Sequence, residues 1–257
     1  MDLFDVSGKT ALVTGGGRGI GLMISRGLVQ AGVRVVIASR KAEDLEAAAA
    51  ELRTFGDCEA IPADLSTPEG AGALAEAVRA RFDALHILVN NSGATWGAPL
   101  EEFPASGWDR VINTNLEGVF HLTVRLLPAL RAAASEDDPA RVINIGSIDG
   151  IRVPAVENYS YSASKAAVHM LTRHLARRLA SEQITVNAIA PGPFQSKMMA
   201  FMLDTPQKRA EVARMVPLGR IGRPDDAAGL TVFLASRAGS YLTGAVIPLD
   251  GGITGCG

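Results

Sequence analysis

Of 257 residues, 47% are hydrophobic and 20% charged, enough apolar material to bury a sizeable core and too much for a disordered chain. The 25 Lys and Arg against 27 Asp and Glu leave a formal charge of -2, so there is no basic excess for nucleic acid and no polybasic run for an anionic membrane. The two cysteines, Cys58 and Cys256, lie far apart and outside any metal-ligand spacing, the acidic start "MDLFDVSGKT" lacks a secretion signal, and no apolar run reaches the roughly 18 residues of a membrane span, so free thiols, no metal and a cytoplasmic location are expected.

The first predicted strand, "TALVTG" (10–15), runs into "VTGGGRGIG" (13–21) and a helix-like segment at 20–31. Glycines at 15, 16, 17, 19 and 21 allow a tight turn, a close backbone approach to a pyrophosphate and amide N–H groups at a helix N-terminus. The spacing departs from G-x-G-x-x-G, because Ile20 stands where a start at Gly15 would need glycine. A glycine turn can be purely structural, but between the first strand and helix of a βαβ unit it points to a dinucleotide. The second predicted strand, "VRVVIAS" (33–39), ends in Ser39 followed by Arg40, where NAD sites usually place an acid. An arginine there can hold a 2′-phosphate that a carboxylate would repel, with Arg18 closing from the glycine loop, so NADP(H) is expected. The alternative is that Arg40 is a solvated residue at a helix start.

A helix at 41–54, a weaker strand "CEAIPAD" and a helix at 67–83 follow; then come "HILVNNSG" (86–93), a long helix at 106–132, "RVINIGS" (141–147), a helix at 158–180, "ITVNAIAPG" (184–192), a helix at 224–236 and "GAVIPLDGG" (244–252). Nearly continuous apolar strands alternating with amphipathic helices predict one α/β domain over 1–257, a Rossmann-type doubly wound parallel sheet with ligands beyond the strand ends.

Within the helix at 158–180, "YSYSASK" brings two of the chain's three tyrosines together with a lysine. At roughly 100° per residue, Tyr161 and Lys165 lie about 40° apart on one face, whereas Tyr159 points elsewhere. An ammonium beside a phenol favours phenolate, which suits a proton donor working near neutral pH. The spacing alone is equally that of an ordinary surface pair.

"TGGGRGIG", "NNSG" at 90–93, Asn115 in "NTNLEGVF", Ser147 in "NIGS", "YSASK" at 161–165 and "PG" at 191–192 together resemble the short-chain dehydrogenase/reductase family across nearly the whole chain. "FGDCEAIPADLS", "ARVINIGS" and "PLGRIGRPDDAA" are most similar to bacterial 3-oxoacyl thioester reductases, including the branch associated with rhamnolipid producers, with gluconate and polyol dehydrogenases close behind. The resemblance implies that Tyr161 protonates a carbonyl oxygen held by Ser147, and that Lys165 lowers the Tyr161 pKa and holds the nicotinamide ribose. Asn115 would anchor a water chain to Lys165. The backbone of Gly15, Gly17, Arg18, Gly19, Ile20 and Gly21 would cradle the phosphates, with Ser39 and Arg40 at the adenosine ribose. Asp64 and Leu65 would contact adenine, Asn91 and Gly93 would line the adenosine side, and Pro191, Gly192, Phe194 and Ser196 would receive the carboxamide. A homotetramer pairing the helices near 106–132 and 158–180 is also implied. Ser92 stands where the family more often has alanine, and the implied pattern gives Ser162, Ser164, His121, His169 and His174 no chemistry.

The segment 194–216 is expected to cover a small-molecule carbonyl or alcohol substrate. Met198, Met199, Phe201, Met202 and Leu203 make it apolar, favouring an acyl or hydrophobic ketone over a sugar acid, although such methionines also serve as core packing. "SEDDP" (135–139) and Glu182 place acids where relatives that dock acidic acyl carrier protein resemble one another in basic residues, so that docking is doubtful. The reading from a different class is a non-catalytic NADP-binding redox sensor, which would not need Asn115, Ser147, Tyr161 and Lys165 together.

Overall fold

A computed structural model describes residues 3–196, 199 and 204–256. The elements, in chain order, are β1 Thr10–Thr14, α1 Gly19–Gln30, β2 Arg34–Ser39, α2 Ala42–Leu52, β3 Cys58–Pro62, α3 Pro68–Arg79, β4 Ile87–Asn90, α4 Ala105–Ile112, α5 Gly118–Ala133, β5 Ala140–Ile145, α6 Tyr159–Leu179, β6 Ile184–Pro191, α7 Pro206–Arg214, α8 Pro224–Ala235 and β7 Val246–Leu249. Among the described residues the strands form one sheet in the order β3-β2-β1-β4-β5-β6-β7, with every pairing parallel. The order reverses between β1 and β4, which opens a crevice at their carboxyl ends.

Continuous apolar strands are what a sheet covered on both faces demands, and β1, β4, β5 and β6 are buried along their whole lengths. Alternation along each strand feeds two cores. Ala11, Val13, Val35 and Ile37 face α1, α2 and α8, while Leu12, Val36, Leu88 and Val142 face α3, α5 and α6.

Two expectations change. The long helix predicted at 106–132 divides into α4, a π turn over Asn113–Glu117 and α5. The wide turn lets the start of α5 press against the loop after β3: a Cβ on Gly118 would lie 2.3 Å from the Leu65 carbonyl oxygen. The expected cover also contains a helix, α7, started by Thr205, whose hydroxyl accepts from the Lys208 amide at 3.2 Å. Met198, Phe201, Met202 and Leu203 lie outside the described residues; Met199 is described, half-buried, with its amide donating to the Ser196 carbonyl at 3.1 Å.

Candidate active site

The glycine turn between β1 and α1 is shaped by close contact. Gly15 and Gly19 have φ of 65° and 52°, the left-handed region that costs glycine little. Gly21 has an ordinary φ but no room: a Cβ would sit 2.2 Å from the Gly15 carbonyl oxygen and 2.4 Å from Asn91 Nδ2. Arg18, the N-cap residue, is extended at φ -162°, forms no side-chain cap bond, and no acid occupies the first turn, so the leading amides of α1 face the crevice without an internal anion. Gly21→Ala is therefore expected to destabilise the fold by about 1–3 kcal/mol in urea unfolding and to weaken dinucleotide binding. An unchanged midpoint and an unchanged dissociation constant would contradict this account of the turn.

The end of β4 is stitched to this turn. Thr14 Oγ1 accepts from the amides of Asn91 and Ser92, both at 2.9 Å, and Asn91 Nδ2 donates to the Thr14 carbonyl at 2.9 Å and the Gly15 carbonyl at 3.2 Å. Across the crevice, a Cβ on Gly19 would come within 3.1 Å of Ser196 Cβ, so the loop after β6 reaches the glycine turn. Ser39 is half-buried at the end of β2, and Arg40 and Asp64 are exposed beside it. Burial pulls the Asp64 carboxyl up, but bonds from Ser66 and the Arg40 charge outweigh it and hold the group low. Leu65 turns its side chain into the core, leaving its backbone for any ligand. Phe194 likewise is buried against Gly222, and Pro191 is buried at the end of β6, while Gly192 packs on Asp250.

The second cluster gathers on β5, α6 and the π turn. Ser147 follows β5 in extended conformation, is 7% exposed, and its Oγ accepts from the Asp149 amide at 3.1 Å. Tyr161 and Lys165 share one face of α6, with the Lys165 Nζ 5.6 Å from the Tyr161 ring centroid. That ammonium is buried and donates to the Ile145 carbonyl at 2.7 Å. Gly93 is close by, since a Cβ on it would lie 3.8 Å from Lys165 Nζ. Asn115, also buried, accepts from the Ala94 amide at 2.7 Å and donates to the Ala94 carbonyl at 3.0 Å and to Ser164 Oγ at 2.9 Å. Its side chain thus clamps the loop after β4 to α6.

Burial dominates the electrostatics. It pushes the Tyr161 phenol up to about 12, against the pull of the Ser147 hydroxyl and with a smaller push from Asp149. It pushes the Lys165 ammonium down to about 8. Burial is the largest influence and leaves the phenol above its ordinary value, so Tyr161 keeps its proton throughout the neutral range.

Three residues carry more than the sequence reading gave them. Ser164, given no chemistry by the implied pattern, receives the Asn115 amide and donates to the Tyr161 carbonyl at 2.7 Å. His169, one turn beyond Lys165, lies beneath the Ser147 loop, where a Cβ on Gly146 would meet its Nε2 at 2.1 Å. That Nε2 is buried with no partner among the described residues, and burial first, then Lys165, push the imidazole down to about 4, so it is neutral. Asn158 bonds both Asp149 and the start of α6. Tyr159 packs edge-on against Phe103, with ring centroids 5.6 Å apart, and donates to Glu157 at 2.8 Å.

A family model described as enoyl-(acyl carrier protein) reductase matches residues 15–254. The rhamnolipids biosynthesis 3-oxoacyl-[acyl-carrier-protein] reductase of Pseudomonas aeruginosa is 50% identical over 249 residues, covering 97% of each chain. The 2-dehydro-3-deoxy-D-gluconate 5-dehydrogenase of Dickeya dadantii is 37% identical, covering 98% of each. Among solved structures, the Pseudomonas aeruginosa RhlG/NADP active-site complex superposes with a TM-score of 0.96 at 49% identity over 99% of both chains.

Proposed function

Because the chain belongs to the short-chain dehydrogenase/reductase family, we propose that it uses NADPH to reduce ketones to secondary alcohols, with 3-oxoacyl thioesters or similar hydrophobic ketones as its substrates. The observation that carries this reading is the cluster itself: Tyr161 and Lys165 on one face of α6, the Lys165 Nζ 5.6 Å from the phenol ring, beside a buried Ser147 whose Oγ accepts the Asp149 amide. The Ser147 hydroxyl, which also meets the Tyr161 phenol, stands where both groups can face one carbonyl oxygen.

The residues fit a dinucleotide phosphate. The glycine turn is closed to any added Cβ at Gly21, the first amides of α1 are uncapped, and Arg18 and Arg40 are exposed at the rim. In this reading, Gly15 to Gly21 hold the pyrophosphate and Arg18, Ser39 and Arg40 hold the 2′-phosphate. Asp64, the Leu65 backbone, Asn91 and Gly93 line the adenosine side, and the backbone at Pro191, Gly192 and Phe194 with Ser196 receives the carboxamide. Bound NADPH supplies the hydride. Tyr161 gives its proton to the carbonyl oxygen as that oxygen becomes an alkoxide, which is far more basic than phenolate, so the transfer runs downhill. Ser147 stabilises the same oxygen by hydrogen bond. Lys165, largely protonated at neutral pH, offers its remaining N–H groups to the ribose and to the phenolate left behind. Asn115 holds the loop after β4 against α6.

Support for a 3-oxoacyl thioester comes from the 50% identical relative and the apolar sequence of the cover, whereas the Dickeya relative keeps a sugar-acid substrate in play. Two of the acids that oppose acyl carrier protein docking are ion-paired, while Glu136 and Asp137 are exposed. Asp138 is held by Lys9 at 2.5 Å and by Arg141 at 3.0 Å, and Glu182 by Arg131 and Arg178, both at 2.6 Å. Following NADPH absorbance with acetoacetyl-CoA, longer 3-oxoacyl-CoA esters and crotonyl-CoA, and NADP reduction with D-gluconate and galactitol, tests the reading. The highest kcat/KM is expected for a 3-oxoacyl ester; a higher value for crotonyl-CoA, gluconate or galactitol would reassign the substrate.

A homotetramer is part of the same proposal. Phe120 and Val124 on α5 and Met170 on α6 are exposed large apolar side chains on the helices expected to pair. Light scattering at micromolar concentration is expected to give four times the chain mass, and a monomer would contradict it.

A further inference from the structure

Ser147 and Tyr161 come from different elements, joined by an exposed stretch in which Val153 is 90% accessible and Ile151 and Val156 are also exposed. Such a connection cannot by itself fix one hydroxyl against the other. A run of hydrogen bonds crosses it instead. The Asp149 amide donates to Ser147 Oγ at 3.1 Å, and the Asp149 carboxylate accepts from Asn158 Nδ2 at 3.3 Å. Asn158 is buried immediately before α6, and its carbonyl accepts from the amides of Tyr161 at 2.9 Å and Ser162 at 3.1 Å. Ser162 Oγ donates to the same carbonyl at 3.2 Å. The short turn bearing Asp149 rests on a ring, because a Cβ on Gly150 would come within 2.9 Å of His169 Cε1.

We propose that Asp149 and Asn158 form a clip that sets the Ser147 hydroxyl against the Tyr161 phenol, making both positioning residues for carbonyl reduction. Neither needs to touch the substrate. Asp149 is only partly buried; burial raises its carboxyl, and the Asn158 bond, with Arg152 nearby, opposes that. Asn158 is thus the partner that lets a carboxylate sit in this turn. The same carboxylate lies close enough to the phenol to be felt by it. A small misplacement of either hydroxyl lowers the rate, since proton transfer and oxyanion stabilisation depend on geometry at the reacting oxygen.

The inference rests on the reading of Tyr161 as proton donor, and its test keeps the two apart. With acetoacetyl-CoA as the ketone, kcat, KM and the NADPH dissociation constant are measured for Asp149→Ala, Asn158→Ala, the double variant, Asp149→Asn and Tyr161→Phe. Each alanine variant is expected to lose on the order of tenfold in kcat with NADPH affinity unchanged, and the double variant to be no worse than the poorer single, because the two residues act as one unit. Asp149→Asn, whose amide oxygen still accepts from Asn158, is expected to retain most of kcat. Losses that multiply in the double variant, alanine variants as fast as the unmodified protein, or an Asp149→Asn variant as slow as Asp149→Ala would each overturn the clip. If Asn158→Ala does not fold, the comparison of Asp149→Asn with Asp149→Ala decides alone. A Tyr161→Phe variant that turns over normally would instead overturn the reading beneath it, whereas an inactive one beside undamaged Asp149 and Asn158 variants would remove the clip only.

Discussion

Tyr161→Phe is expected to lower kcat for ketone reduction by roughly 10²–10⁴-fold while leaving the NADPH dissociation constant nearly unchanged, the span typical of removing a positioned general acid. The lost hydroxyl is the proton-bearing group set beside Ser147, and burial keeps its proton in place throughout the neutral range. In this reading Lys165, anchored on the Ile145 carbonyl at 2.7 Å, supports the phenol and does not take its place at the reacting oxygen. Tyr159→Phe serves as the control. Its hydroxyl goes to Glu157 and its ring packs on Phe103, so its loss is expected to change kcat little. An active Tyr161→Phe paired with an inactive Tyr159→Phe would mean that the acid has been assigned to the wrong residue.

Arg40→Asp is expected to erase or reverse a preference for NADPH over NADH. The substitution removes a charge-assisted donor from the end of β2 and puts a repulsive carboxylate in its place, worth together on the order of 100-fold in the ratio of kcat/KM values. Asp64, exposed nearby and already coupled to Arg40, would then leave two acids at that edge, which suits ribose hydroxyls and opposes a phosphate. Equal kcat/KM for the two cofactors in the unmodified protein would remove the basis for the role of Arg40.

Much of the fold was legible because a sheet buried on both faces writes itself as apolar runs: "ALV", "VVIA" and "ITVNAIA" allow few other placements. The π turn was not. It goes with a close approach between Gly118 and Leu65, residues more than fifty positions apart, which no local periodicity encodes. The shared face of Tyr161 and Lys165 was visible from their spacing alone. Ser164 could have been read from the same wheel, since a residue three positions on lies near the same face, but its partner Asn115 comes from a distant segment. Burial of the phenol was not legible either, because a neighbouring lysine is visible in sequence whereas desolvation depends on what closes over the ring. His169 and Asn158 are further cases of this kind: their positions on or before α6 were plain, and the loop they brace was not.

The most direct test of the central claim is to follow deuteride from NADPH labelled at the transferring carbon into the product. With acetoacetyl-CoA, mass spectrometry is expected to find the label on the new carbinol carbon, with formation of this product reduced in Tyr161→Phe as strongly as kcat. Tight NADPH binding with no labelled alcohol from any ketone of the panel would contradict the account, and would leave a protein that binds the dinucleotide without reducing anything.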